Sequence, residues 1–235
     1  AFLLIVTTFF FSKWSIFKKI LNDKKKLFIL FISGFLIFIN WGVWIYAVSV
    51  DKIIDASFGY FIMPIISVFL GNFFFKEPIT KKGKISIFLV IISVSYLLII
   101  DFNSIPWVGL IVALSWSFYN LFRKKINVET DIGLLIESLY ILPFVLVAFY
   151  FISINNYNDF SLSNPSLMPL LMLAGPMTVI PLFLYVRGVE LAGLGPAGMI
   201  FYITPTLQFI LGFFIYNEQF NINQLVSFIL IWIAV

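Results

Sequence analysis

One acidic residue lies inside an apolar stretch: Glu137, in "GLLIESLYILP". It sits about a turn and a half into its run, roughly 9 Å deep at 1.5 Å per residue. An ionisable group placed there costs about 2–3 kcal/mol or more unless it is paired or hydrated, and it marks a functional site by default. Two roles follow. Glu137 either couples a proton or binds a substrate cation, or it is one half of a structural ion pair with Arg187 or Arg123. The 235 residues contain no histidine and no cysteine. Disulfides, thiol chemistry, imidazole relays and the usual zinc or haem ligand sets are therefore excluded, and no metal, catalytic residue or cofactor is expected. The phosphate-cradling G-x-x-x-x-G-K-[ST] loop is missing too, so nucleotide-driven pumping is disfavoured.

Polar and aromatic side chains recur at helical spacing. Asn40 and Trp44 share a face at i, i+4 in "NWGVWIYAV", and Ser115, Tyr119 and Arg123 form a stripe in "ALSWSFYNLFRKK". Tyr60, Pro64, Ser67 and Gly71 repeat the pattern in "ASFGYFIMPIISVFLGNFFFKE". Hydroxyl and amide groups rarely face lipid unpaired. Asn40, Trp44, Tyr60, Ser67, Ser115, Tyr119 and Gln208 are thus candidates to line a substrate cavity. The competing reading for each is helix packing, with glycines allowing close approach and Ser or Asn bonding between helices.

The elements that must position these groups are membrane helices. The chain is 62% hydrophobic and 11% charged, with a mean hydropathy of +1.07, far from the ~25% charge of a soluble domain. Spans of about 20 residues bracket at 27–49, 56–75, 85–100, 106–122, 132–151, 167–186, 194–216 and 224–235, with residues 1–12 read as the end of a further helix. Lysine and arginine alternate between the loops. Odd loops carry Lys13, Lys18, Lys19 and Lys24–Lys26, then Lys76, Lys81, Lys82 and Lys84, then Arg123, Lys124 and Lys125, then Arg187; the even loops hold only Lys52. The positive-inside rule places the odd loops in the cytoplasm. The lysine clusters read as topology signals beside anionic headgroups, not as a nucleic-acid surface.

An offset of 141 residues aligns 56–94 with 197–235 and superimposes Pro64 on Pro205, Gly71 on Gly212 and Glu77 on Glu218. Five helices separate the two copies, so the halves are expected to be inverted in the membrane, as in secondary transporters. The paired prolines each remove a backbone donor and are expected to kink their helices about a cavity. The expected fold is an all-α polytopic membrane protein, a ten-helix 5+5 inverted-repeat bundle with halves 1–101 and 106–235. Mapping one copy on the other makes this sequence a fragment lacking helix 1, half of helix 2 and the end of helix 10. Both termini of the full protein are expected in the cytoplasm.

"NWGVWIYAV", "ASFGYFIMP", "RKKINVETDIGLLIES" and "YITPTLQFILG" resemble the RarD-type permeases of the EamA family, in the drug/metabolite transporter superfamily. The resemblance runs through almost the whole chain. It implies a non-enzymatic permease of the bacterial inner membrane that exports small organic metabolites or drugs. Its partners would be the lipid bilayer and a small-molecule substrate, with a proton as coupling ion if Glu137 is the carrier. A channel or lipid scramblase built on the same bundle is the alternative. Substrate, direction, coupling ion and oligomeric state do not follow from the sequence.

Overall fold

The computed structural model describes residues 1–50, 53–100, 107–155, 167–204, 206–207 and 222–234. Lys52, Pro205, Gln208, Gly212 and Glu218 lie outside the described residues. The described residues form helices and no strand. In chain order the helices are α1 (Phe2–Phe10), α2 (Trp14–Leu21), α3 (Lys24–Ser49), α4 (Ile53–Phe75) and α5 (Lys81–Ile100). They continue with α6 (Trp107–Ile126), α7 (Thr130–Ile154), α8 (Leu167–Ala192), α9 (Leu194–Ile200) and α10 (Ile222–Ala234).

Four of the described helices, α3, α5, α7 and α8, are long and apolar enough to cross a membrane. The remaining expected spans are less simple. α4 is a continuous helix of 23 residues that carries Pro64 within it, and α6 closes on the basic run Arg123–Lys125. The expected span 194–216 is interrupted, because α9 ends at Ile200 and residues 201 and 202 form a turn. Residues 13–26, read as a charged loop, contain α2. Its apolar residues Ile16, Phe17 and Ile20 recur at helical spacing and pack inward, while Lys18 and Lys19 close its last turn. A span-length hydropathy average overlooks such a short amphipathic helix.

The chain divides into two compact units, residues 1–38 with 122–190 and residues 39–121 with 191–235. Each unit draws on both halves of the chain. In the first, Ile20, Leu30, Ile126, Val128, Ile132 and Ile136 form a buried apolar cluster. The first two turns of α7, Thr130 to Glu137, are buried, with Asp131 at the edge of the unit, whereas its later residues Phe144, Leu146, Phe149 and Tyr150 are exposed. A water-facing surface would not carry such a run, and lipid is the solvent that suits it.

In the second unit α4 packs along α9 and α5 along α10. Gly59 makes a close crossing possible, because a Cβ there would overlap the carbonyl oxygen of Gly109 on α6. α4 stays helical through Pro64, at a point where Ser67 and Pro64 abut Gly198 of α9.

Candidate functional site

In the first unit the acid Glu137 lies inside a buried charged cluster. A short link carrying Asn127 in the left-handed region, at φ 49°, turns α6 into α7; asparagine tolerates that conformation better than most residues. The turn brings Arg123, near the end of α6, back over the start of α7. Its Nη2 donates to the Thr130 carbonyl at 3.3 Å, and Gly133 leaves the space that the guanidinium occupies. Arg123 Nε lies 3.6 Å from Glu137 Oε1, and Nη2 lies 3.7 Å from Glu190 Oε1. The Ser33 hydroxyl on α3 donates to Glu137 Oε1 at 2.5 Å, the short end of charge-assisted hydrogen bonds. Gly34 beside it lets α3 approach the Glu137 backbone.

Glu190 completes the group. Its Oε2 accepts from Thr130 Oγ1 at 2.7 Å and from Arg187 Nη1 at 3.1 Å. Arg187, one of the two partners considered for Glu137, is therefore held by Glu190, and Arg123 is the cation beside Glu137. Arg123 also departs from its reading as a loop cation, since its side chain is 0% exposed. Glu190 lies beyond the apolar run that ends at residue 186, whereas α8 continues to Ala192. The Arg187–Glu190 spacing of i, i+3 is the signal that could have found it.

A second ion pair stands at the surface of this unit. Lys13 Nζ lies 2.6 Å from Asp131 Oδ2 and 2.8 Å from Glu129 Oε2. Partial burial acts to lower the Lys13 pKa, but the two carboxylates outweigh it and raise the pKa above its usual 10.5.

In the second unit the cavity candidates fall into two groups. Asn40 and Ser115 are buried and bonded together: Asn40 Nδ2 donates to the Val112 carbonyl at 2.9 Å and to Ser115 Oγ at 3.0 Å. Both thus fasten α3 to α6, as polar residues do between membrane helices. The aromatic candidates form a continuous series. Trp44 meets Tyr60 edge to face at 5.5 Å, Tyr60 stacks on Phe201 at 5.8 Å, Phe201 meets Trp116 at 5.6 Å, and Trp116 meets Tyr119 at 6.0 Å. Tyr119 is fully buried. Ser67 is also buried, and its hydroxyl has no hydrogen-bond partner among the described residues.

Near Pro64 the backbone receives help from across the unit. Proline at 64 frees the carbonyl of Tyr60, four residues back, and the neighbouring Phe61 carbonyl accepts the Tyr202 hydroxyl at 3.0 Å. In the other copy of the repeat, the Phe201 carbonyl, four residues before Pro205 in the sequence, accepts the Thr204 N–H at 3.0 Å. Phe61 and Tyr202 are separated by 141 residues, as are Tyr60 and Phe201.

Glu77 is the third feature of this unit. Its carboxylate accepts the N–H of Leu194 through Oε1 and that of Gly195 through Oε2, each at 3.0 Å, so it caps the first turn of α9. A cavity of about 400 Å³ adjoins this contact, lined by Val68, Glu77, Thr80, Gly195, Pro196 and Met199 among others. Among the described residues, none of the cavity candidates drawn from the sequence lines it.

The EamA-like transporter family matches residues 1–99 and again 104–235. Protein RarD of Escherichia coli (strain K12) is 34% identical over 99% of this chain and 78% of its own length. Protein RarD of Salmonella typhi is 34% identical over 98% of the chain and 81% of its own length. The transporter YojE of Bacillus subtilis (strain 168) is 33% identical over 97% of the chain and 77% of its own length. The chain belongs to the EamA-like transporter family, within its RarD-type permeases. It is a multi-pass membrane protein and a membrane transporter.

Proposed function

We propose that the protein is a secondary active permease of the bacterial inner membrane that exports small organic metabolites by alternating access of two inverted halves, 1–101 and 106–235. The contact between repeat-equivalent residues carries this reading. Tyr60 stacks on Phe201 and Tyr202 bonds to Phe61, and both pairs are related by the repeat offset. Residues with equivalent places in two copies touch where a pseudo-twofold axis passes between the copies. The helix pairs α4 with α9 and α5 with α10 also match under that offset. A near-symmetric pair of halves can exchange conformations and so open first one side and then the other.

The aromatic series suits planar, partly apolar substrates, with the Ser67 hydroxyl, about two turns along α4 from Tyr60, as a polar anchor. A proton is the coupling ion, and Glu137 is its carrier. With the full-length protein in cells, external metabolites are compared between expressing and deletion strains; a small organic compound should accumulate outside the expressing cells. In vesicles loaded with that compound, unlabelled compound on the far side should accelerate release of label. A carrier shows such exchange and a channel or scramblase does not, so label release indifferent to the far side would refute alternating access. Glu137→Gln should abolish the response of flux to ΔpH while leaving exchange intact. Unchanged ΔpH-driven flux in this variant would remove Glu137 from the coupling role.

A further inference from the structure

α9 is a short rigid piece between two breaks. Before it stands Gly193, with φ at 102°, a conformation that side-chain-bearing residues avoid. After it, the chain leaves the α-helix at Phe201 and Tyr202, whose N–H groups bond three residues back, to Gly198 and Met199. Its first turn is held by Glu77, which is 117 residues away from Leu194 in the chain.

The holding site is shaped for a carboxylate. A Cβ on Gly193 would lie 2.8 Å from Glu77 Oε1, and one on Gly71 would lie 2.6 Å from Oε2. Two glycines on different elements are therefore needed for the side chain to seat. The segment carrying Glu77 is itself fixed, because Glu77 N–H donates to the Gly71 carbonyl at 3.2 Å and Asn72 Nδ2 to the Glu77 carbonyl at 2.9 Å. Thus α4 holds out an acid that grips α9 by its positively polarised end. The cavity of about 400 Å³ has this grip in its wall, with Glu77 and Gly195 on either side of the contact and Met199 further along α9.

We propose that Glu77 is the latch of a gate formed by α9: while the carboxylate holds the N–H groups of Leu194 and Gly195 the cavity keeps the width seen here, and when it lets go α9 swings between its two breaks and widens it. The sequence supplies an acid at the repeat-equivalent position, Glu218. This inference rests on the alternating-access reading, but its readout needs no substrate, so failure of a flux experiment and failure of the latch are told apart.

The test uses thiol accessibility in the full-length protein, in a cysteine-free background. Met199→Cys reports on the cavity, and Val186→Cys, at a fully buried position of α8, reports on general loosening. Alkylation by a water-soluble maleimide is timed with Glu77 intact, as Glu77→Gln and as Glu77→Ala. The gln variant keeps one acceptor oxygen and the shape; the ala variant loses both hydrogen bonds to an ionised group. The Met199→Cys rate should rise in that order, by about tenfold or more for Glu77→Ala, with the Val186→Cys rate unchanged. An unchanged rate at Met199→Cys overturns the proposal. A parallel rise at both positions also overturns it, since Glu77 would then be an ordinary helix cap.

Discussion

Removal of the Arg123 guanidinium would leave Glu137 and Glu190 as carboxylates without the cation they flank. Breaking a buried pair from one side costs about 3–5 kcal/mol. Arg123→Met should therefore lower the melting temperature of the full-length protein in detergent, and adding Glu137→Leu should restore part of the loss. If the double variant is no more stable than the single one, the two side chains are not energetically coupled. Lys13 calls for a different experiment, because its pairing is at the surface and titrates. Its folded-state pKa is raised by Asp131 and Glu129. The stabilisation from this pair is fully present below the ordinary lysine value of 10.5 and is lost as pH rises through the higher folded-state value. Comparison of wild type with Lys13→Met should give a constant difference in melting temperature at neutral pH, and that difference should shrink only above about pH 10.5. A difference that already vanishes near neutrality would show that the carboxylates do not act on Lys13.

At the scale of the helix, glycines that look alike in the sequence act differently. Gly59 sits where a Cβ would strike the Gly109 backbone, whereas a Cβ on Gly42 meets nothing within 4 Å. Gly59→Ala should push α4 off α6 and destabilise by about 1–3 kcal/mol. Gly42→Ala should be neutral or stabilise by up to ~1 kcal/mol, the helix preference of alanine over glycine. Equal melting temperatures for the two variants would contradict the close crossing. Hydropathy made the helical, polytopic class legible, since that class needs only long apolar runs. It could not show the crossing at Gly59, which depends on what lies opposite. It also hid α2, whose lysines masked an amphipathic face, and the break after Ile200, where the side chains on either side stay apolar.

At the scale of the molecule, contact across the chain is what the sequence could least reveal. Glu137 stood out because an acid is conspicuous among apolar neighbours, and two arginines were in reach of it. Geometry chooses Arg123 and adds Ser33, which no pattern marks, and Glu190, marked only by its i, i+3 spacing to Arg187. Asn40 and Ser115 share the polarity of cavity residues, yet each satisfies the other. Glu77 looked like the end of a helix, and only the fold brings α9 to it. The repeat made Tyr60 equivalent to Phe201 and Phe61 to Tyr202, without saying that the equivalents meet. That meeting bears on how the protein is made. The hydroxyl that serves the Pro64 turn of α4 belongs to a residue translated 141 positions after Phe61. At about 5–20 residues per second, roughly 7–28 s pass before it leaves the ribosome. Throughout that interval the newborn α4 must rest beside the insertion machinery or a chaperone with its weakened turn uncovered, and a quality-control protease would find its opening there.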